Sequence, residues 1–248
     1  MMLKDRLVNI GHLFFRYRGY QFVIYLLVIA MGIKHLSVIK DNYFYEILCF
    51  YVAILGMIIR AFTVGFVSIG TSGRNCHKQE AFELNTTGMY SIVRNPLYIG
   101  NFFIFLGIIM LIQDFKLIIF SSLLYWLFYT PIILTEEDFL LGKFKDQYIK
   151  YTKEVNCLIP SFVNFKRPVK KFSFHMVLMR EHDTLLTTIL AFLGVELIIK
   201  AIIYGNFHLD VFWIIVLLLT IVIFCVLKYI KKYRGLLSSI LRDRNNYT

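Results

Sequence analysis

Long apolar runs separated by short polar segments dominate the sequence. A helix needs about 20 mostly apolar residues to cross the hydrocarbon core of a bilayer, and six runs approach or exceed that length. The pattern therefore predicts an all-α integral membrane protein with about six transmembrane helices. The predicted spans cover residues 20–39, 44–69, 97–112, 117–134, 184–203 and 211–227.

Composition and charge agree with a membrane location. The chain of 248 residues is 58% hydrophobic, has a mean hydropathy of +0.65 and carries a formal net charge of +11. Only Lys34, Lys40, Lys116 and Lys200 of the 27 basic residues fall on the outer side of a six-span topology whose N-terminus is inside. This bias follows the positive-inside rule and predicts that both termini are cytoplasmic. The positive charge then faces anionic lipid headgroups, and nucleic-acid binding is not indicated.

The four cysteines do not form a metal-binding or disulfide pattern. Cys49, Cys76, Cys157 and Cys225 lack the C-x-x-C spacing, and two of them fall within predicted spans. We therefore expect no metal cofactor.

A first polar signature lies at the start of the third predicted span, where residues 88–100 read GMYSIVRNPLYIG. Pro96 suits the first turn of a helix, where its missing N–H costs nothing. Helix N-termini carry partial positive charge and free N–H groups, so the anionic end of a ligand is favoured beside Arg94 and Asn95.

A second polar signature follows the fourth predicted span, where residues 135–160 read TEEDFLLGKFKDQYIKYTKEVNCLIP. The carboxylates of Glu136 and Glu137 suit a cationic or hydroxyl-bearing ligand. Only residues 113–116 join the third and fourth spans, which predicts an antiparallel helical hairpin. Both signatures should then meet at one end of this hairpin, on the predicted cytoplasmic side.

The two signatures resemble those of the integral-membrane isoprenylcysteine carboxyl methyltransferase family. There the first reads G-x-Y-x-x-x-R-H-P-x-Y-x-G, and the second is E-E followed by F, Y-x-x-Y, V and I-P. The resemblance implies S-adenosylmethionine bound in a cytoplasm-facing pocket, with a lipid or lipid-anchored substrate entering from the membrane. The cofactor-binding residues that it implies are Tyr90, Arg94, Asn95, Tyr98, Glu136, Glu137, Tyr148 and Tyr151, with Arg94, Asn95 and Glu137 as the catalytic candidates.

The resemblance covers about half of the chain. It predicts a single membrane domain over residues 1–248, with a methyltransferase-like core at 44–160. Residues 161–248 then supply a basic connector, two further transmembrane helices and a basic tail.

Asn95 departs from the family pattern, which has histidine before the proline. An amide can donate a hydrogen bond but cannot carry a proton to or from a substrate. Methyl transfer from a sulfonium to an acceptor that is already an anion needs no general base, whereas an amine acceptor does. Asn95 therefore favours a carboxylate or phosphate acceptor.

A donor-rich loop at residues 70–75 favours phosphate. Its glycines permit a backbone concavity, and Ser72, Arg74 and Asn75 supply donors for phosphate oxygens. This stretch and LNTTGMYSIVRNPLYIGN resemble the bacterial branch that methylates the phosphate of lipid A. We thus expect a lipid phosphate methyltransferase of a bacterial inner membrane. The alternatives are an isoprenylcysteine or other lipid carboxyl methyltransferase, and a sterol reductase-like enzyme that uses NADPH.

Other charged residues are predicted to have structural roles. Residues 180–183, Arg-Glu-His-Asp, should cap the N-terminus of the fifth span. Glu196 and Lys200 lie near the end of that span, where we expect their side chains to snorkel towards water.

Overall fold

The computed structural model describes residues 3–17, 28, 32, 42–67, 81–205 and 211–245, and the side chains within 7–16, 28, 32, 42–67, 81–205 and 211–233. Every regular element within these ranges is a helix, which confirms the predicted all-α fold. In chain order the helices are α1 (Leu3–Tyr17), α2 (Tyr43–Gly65), α3 (Met89–Ile92), α4 (Pro96–Met110), α5 (Phe115–Glu154), α6 (Phe174–Tyr204) and α7 (Val211–Asn245).

The helices agree with an integral membrane protein. Four of them, α2, α5, α6 and the Val211–Tyr233 part of α7, are long and apolar enough to cross a bilayer, and α4 is a shorter apolar helix. These five correspond to five of the six predicted spans. The remaining predicted span, 20–39, lies outside the described residues except for Val28 and Gly32, both of which are buried.

Small residues allow α2 and α4 to pack with their backbones close together. A side chain at Gly56 would collide with the carbonyl oxygen of Gly100 and with Ile104, and one at Gly107 would collide with the backbone of Cys49 and Ala53. Close approach at small residues is a common way for helices to associate in lipid. This contact fixes α4, and with it the polar signature at the N-terminus of α4.

The helical hairpin that the sequence predicts is formed by α4 and α5. Asp114 caps α5, because its side chain accepts hydrogen bonds from the N–H groups of Lys116 and Leu117. Within the hairpin the Tyr125 hydroxyl donates to the carbonyl oxygen of Tyr98 at 2.9 Å. The N-terminus of α4 therefore lies beside the part of α5 that carries the acidic pair.

Helix α5 is too long to be a simple membrane span. Forty residues would extend roughly 60 Å if straight, about twice the hydrocarbon thickness. The backbone is non-helical at Lys145 (φ 43°, ψ −116°), which divides α5 into an apolar part and a short polar part. Around Pro131, α1 packs against α5: the Thr135 hydroxyl lies within hydrogen-bond distance of the carbonyl oxygens of both Pro131 and Val8.

Two predicted helix boundaries are wrong, and contacts between Gly65 and the segment before α6 account for both. Helix α6 begins at Phe174 with Ser173 as its N-cap, so residues 180–183 lie inside the helix and do not cap it. Helix α2 ends at Gly65 instead of continuing towards residue 69. At this point Ser173 donates its N–H to the carbonyl oxygen of Gly65 (2.8 Å), and the Phe172 ring covers Gly65. Phe172 and Ser173 thus lie where α2 ends and α6 begins.

The prediction that Glu196 and Lys200 snorkel is also wrong. Both residues are buried, at 4% and 6% exposure, and their side chains form an ion pair at 3.0 Å. Because the two residues are one helical turn apart, each neutralises the other without leaving the interior. A charged pair inside a membrane helix is therefore compatible with burial here.

Replacing Gly56 with alanine should destabilise the protein, because the added methyl group has no space between α2 and α4. We expect a loss of roughly 1–3 kcal/mol, as for overpacking elsewhere, measured as a lower melting temperature in detergent. Gly194→Ala is the matched control, because Gly194 lies in α6 with open space around its Cβ position. The control should be neutral or slightly stabilising, since alanine favours helix. Equal melting temperatures for the two variants would contradict the proposed α2–α4 contact.

Candidate active site

The first signature adopts a compact turn before α4. Gly88 has a positive φ of 63° and precedes the single turn α3, after which Val93 is extended and Pro96 occupies the first turn of α4. The backbone N–H of Arg94 donates to the carbonyl oxygen of Asn156 at 2.9 Å, and that of Ser161 donates to Ile92 at 2.9 Å. The segment after α5 is therefore held directly against the first signature.

Arg94 and Glu137 form a bidentate ion pair that joins the two signatures. The Nε–Oε1 and Nη2–Oε2 distances are 2.9 and 3.0 Å, and the two side chains are only 14% and 17% exposed. Arg94 also donates through Nη1 to the carbonyl oxygen of Val155 at 2.8 Å. Burial opposes the charge of the guanidinium, but the hydrogen bonds and the charge of Glu137 outweigh it and raise the pKa of Arg94. Such paired geometry holds both groups ionised and in fixed positions.

Asn95 is a second hydrogen-bond donor to the Glu137 carboxylate. Its Nδ2 lies 3.1 Å from Glu137 Oε1 and 3.3 Å from the carbonyl oxygen of Cys157. An uncharged amide suits this position, since the adjacent guanidinium already neutralises the carboxylate. Asn95 therefore acts here as a hydrogen-bond donor, and the geometry needs no imidazole in its place.

Cys157 is a member of this cluster that the sequence did not single out. Its thiol donates to Glu137 Oε1 at 3.4 Å. Burial, followed by the charge of Glu137, raises the pKa of the Cys157 thiol to about 11. The thiol is thus protonated at neutral pH and serves as a donor instead of a nucleophile. Its position in the second signature, just before the closing Ile-Pro, was the available sequence signal.

Two tyrosines of the second signature lie next to the ion pair. The Tyr151 hydroxyl donates to the carbonyl oxygen of Tyr90 at 2.7 Å, which ties the polar end of α5 to α3. The Tyr148 hydroxyl is buried beside the Glu137 carboxylate, but it makes no hydrogen bond of normal geometry to any residue that the structure describes. A buried hydroxyl without a partner is costly. This one fits the position of a group that a polar ligand would satisfy.

A second ionic network lies near Tyr90. The Arg60 guanidinium makes a bidentate contact with Glu181 at 2.8 and 2.9 Å and also donates to Asn101. Burial and the nearby charge of Glu136 raise the pKa of Tyr90, while the charges of Arg180 and Arg60 lower it to a smaller extent. Sequence reasoning missed this network. An arginine inside an apolar run was the signal, because such residues need a partner.

The structure brings together most of the predicted site residues that it describes. Arg94, Asn95 and Glu137 are in direct contact, and Tyr90, Tyr148 and Tyr151 adjoin them. Tyr98 lies deeper in the hairpin, where its ring packs against Tyr129 with centroids 5.3 Å apart. Ser72, Arg74 and Asn75 lie outside the described residues. Within the described ranges, no group of three or more His, Cys, Asp or Glu side chains is placed to hold a metal ion.

Comparison with known proteins matches part of the chain, and with it part of this site, to a family. Residues 47–147, which contain the Arg94–Glu137 pair, match the family described as phospholipid methyltransferase. The resemblance to the isoprenylcysteine methyltransferase family is confirmed. No solved structure matches the chain.

The curated proteins that are similar to this chain come from several organisms. The protein-S-isoprenylcysteine O-methyltransferase of Schizosaccharomyces pombe is 42% identical over 77 residues, 31% of this chain and 33% of the relative. That of Tribolium castaneum is 31% identical over 121 residues, 46% of this chain and 41% of the relative. The nickel-cobalt-cadmium resistance protein NccN of Alcaligenes xylosoxydans xylosoxydans is 27% identical over 124 residues, 50% of this chain and 56% of the relative. The chain thus spans about a third to a half of these relatives.

The Cys157 thiol should react slowly with alkylating reagents at pH 8, because its pKa is about 11 and the thiolate is the reactive form. Its rate should rise about tenfold per pH unit until the pH reaches that value. In Glu137→Gln the carboxylate charge is lost, so the midpoint of the rate–pH profile should move to lower pH. Peptide mass spectrometry after timed labelling measures the rate at Cys157 separately from the other cysteines.

Glu154→Gln serves as the control for this labelling experiment. Glu154 lies in the same helix, but its exposed carboxylate pairs with Lys166 and makes no ion pair with Arg94. This variant should keep the wild-type profile. A Glu137→Gln profile with an unchanged midpoint would show that Cys157 does not sense the carboxylate.

Proposed function

We propose that the protein is an S-adenosylmethionine-dependent methyltransferase that methylates a carboxylate on a lipid-anchored molecule, as in isoprenylcysteine. The observation that carries the proposal is the Arg94–Glu137 ion pair, which is largely shielded from solvent and joins the two signatures at one end of the α4–α5 hairpin. A polar cluster of this kind, beside helices that cross a membrane, suits a substrate with an apolar tail and a polar end. The family region and the curated relatives support the reaction class.

The cofactor would be held by the residues around the unpartnered Tyr148 hydroxyl. Tyr151 packs against Tyr148 and bonds to Tyr90, and the charge of Glu136 lies near Tyr90. Together these residues offer hydroxyl and carboxylate groups that suit a ligand with ammonium, carboxylate and ribose groups. When bound, S-adenosylmethionine supplies an activated methyl group to the acceptor. The site meets one physical requirement for such a ligand, because it contains a buried polar group that protein partners leave unsatisfied.

Arg94, Glu137 and Asn95 act as positioning residues in this proposal. Arg94 donates hydrogen bonds to Glu137 and to a backbone carbonyl oxygen. The Glu137 carboxylate also accepts hydrogen bonds from Asn95 and Cys157. These groups keep α3, α4 and the end of α5 in a fixed arrangement. Their contribution to rate is then alignment of the reacting groups and exclusion of water.

The acceptor class follows from the same arrangement together with the relatives. The structure provides no imidazole at Asn95, and the Cys157 thiol is held protonated, so neither group serves as a general base. A carboxylate is ionised at neutral pH and needs none. The curated relatives are named for O-methylation of isoprenylcysteine, which favours a carboxylate over the lipid A phosphate expected from the sequence.

Lipid phosphate remains the second candidate, because Asn95 suits any anionic acceptor and the loop at 70–75 offers donors for phosphate oxygens. We retain the cytoplasmic face of a bacterial inner membrane as the proposed site of the reaction, because the basic residues are concentrated on that side of the predicted topology.

A sterol reductase-like enzyme would need NADPH instead. Equilibrium binding of S-adenosylmethionine and NADPH to the purified protein therefore separates the two enzyme classes.

Tyr148→Phe should weaken S-adenosylmethionine binding roughly two- to tenfold, the usual contribution of one hydrogen bond, without lowering the melting temperature of the free protein. The free protein loses no hydrogen bond of normal geometry in this variant, because the hydroxyl has no such partner among the described residues. Tyr151→Phe is the matched comparison and should lower the melting temperature, since it removes the bond to Tyr90. Titration calorimetry and thermal unfolding in detergent measure both quantities. Unchanged cofactor affinity in Tyr148→Phe would remove that hydroxyl from the binding site.

Glu137→Gln should reduce methyl transfer at least about a hundredfold, because it uncouples the two signatures and leaves the Arg94 charge without its partner. Glu154→Gln, which affects only an exposed pair, should retain wild-type activity. The assay offers radiolabelled S-adenosylmethionine with either a farnesylated cysteine bearing a free carboxylate or a lipid A phosphate. Transfer to the carboxylate alone supports the proposed acceptor, and transfer to the phosphate alone overturns it in favour of the second candidate.

A further inference from the structure

The connector between α5 and α6 has an unusual surface for a segment without regular structure. We call residues 159–173 the strap. Large apolar side chains of the strap are exposed, among them Phe162 at 73%, Val163 at 89% and Val169 at 85%. Ile159 and Phe165 are exposed as well. In water such a surface would be unfavourable, because it leaves apolar area solvated.

The strap is nevertheless fixed to the protein by its backbone. Gly88 donates its N–H to the carbonyl oxygen of Lys166 at 2.9 Å, and the N–H of Lys166 donates to the Ser91 hydroxyl at 2.9 Å. Together with the bonds from Ser161 to Ile92 and from Ser173 to Gly65, these contacts hold it along α3 and the end of α2. The exposed side chains are thus presented by a positioned segment.

Basic residues are interleaved with the apolar ones. Lys166 and Lys170 pair with Glu154 and Glu83, whereas Arg167 and Lys171 are exposed and make no ion pair with residues that the structure describes. Exposed apolar side chains interleaved with exposed basic ones suit a boundary between an apolar layer and an anionic layer. The headgroup region of an anionic bilayer has this arrangement.

The backbone geometry restricts how deep the strap can lie. An irregular backbone facing lipid is not tolerated in the hydrocarbon region, because its polar groups would lack partners there. The strap must therefore lie at the level of the headgroups, with only its side chains inserted. That depth is consistent with the position of the strap, which follows the polar end of α5 and is bonded to Gly65 at the end of α2.

We propose that the strap is a lipid-binding surface that inserts Phe162, Val163, Phe165 and Val169 into the membrane interface and binds anionic headgroups through Arg167 and Lys171. Because the strap is bonded to α3, it fixes the height of the Arg94–Glu137 cluster relative to the bilayer. This surface is independent of the reaction that the protein catalyses.

Photo-crosslinking from the full-length protein tests this surface. The photoreactive residue p-benzoylphenylalanine replaces Phe162 or Phe165 with little change of shape, and it replaces Lys153, exposed at the polar end of α5, as the control. The variants are reconstituted in nanodiscs of phosphatidylglycerol or phosphatidylcholine, checked for monodispersity and irradiated. Intact-mass spectrometry then distinguishes adducts with lipid from adducts with protein.

We expect lipid adducts from positions 162 and 165 and none from position 153. In Arg167→Gln combined with Lys171→Gln, the preference for phosphatidylglycerol over phosphatidylcholine should fall by roughly fivefold or more, given the attraction of each basic residue to anionic lipid. A protein adduct would show that a second copy of the chain covers the strap and would overturn the proposal. Absence of any adduct at 162 and 165, or an unchanged lipid preference in the double variant, would also overturn it.

Discussion

The arrangement of the candidate site depends on one constraint, which is that an ionised group shielded from water in a membrane protein must have a partner. Arg94 and Glu137 satisfy each other with two hydrogen bonds and are both largely shielded from solvent. Loss of either partner would leave a charge with a large desolvation cost and little compensation. The pair therefore fixes the start of α4 relative to α5, and Asn95, Cys157 and the tyrosines take their positions from it.

Close helix packing brings the pair together. The glycines of α2 and α4 allow backbone contact, and the short connection at Asp114 folds α5 back along α4. The break at Lys145 then turns the polar end of α5, so that Tyr151 reaches the carbonyl oxygen of Tyr90. Small residues, a capped turn and a backbone break thus convert two distant polar segments into one cluster.

Sequence reasoning identified this cluster because its members lie at the ends of apolar runs joined by a short turn. That pattern predicts the hairpin and, from it, the meeting of Arg94 with Glu137. It does not predict partners between helices that are distant in sequence. Arg60 and Glu181 are 121 residues apart, and the sequence around each gives no indication of which residue is its partner. Hydropathy also misplaced the start of α6, because the polar residues 180–183 interrupt the apolar run although they lie within the helix.

The Arg60–Glu181 contact connects the C-terminal third of the chain to the region that matches the family. The region that matches the methyltransferase family ends at residue 147, yet Glu181 of α6 supplies the bidentate partner for an arginine inside that region. Arg60 also contacts Asn101, six residues after Asn95, so the ionic network reaches the same helix that carries the candidate site. A site built only from the family region would leave Arg60 as a shielded charge without a carboxylate among the contacts described here. We therefore propose that the chain forms a single membrane domain, in which α6 packs against the family region and contributes Arg180 to the surroundings of Tyr90.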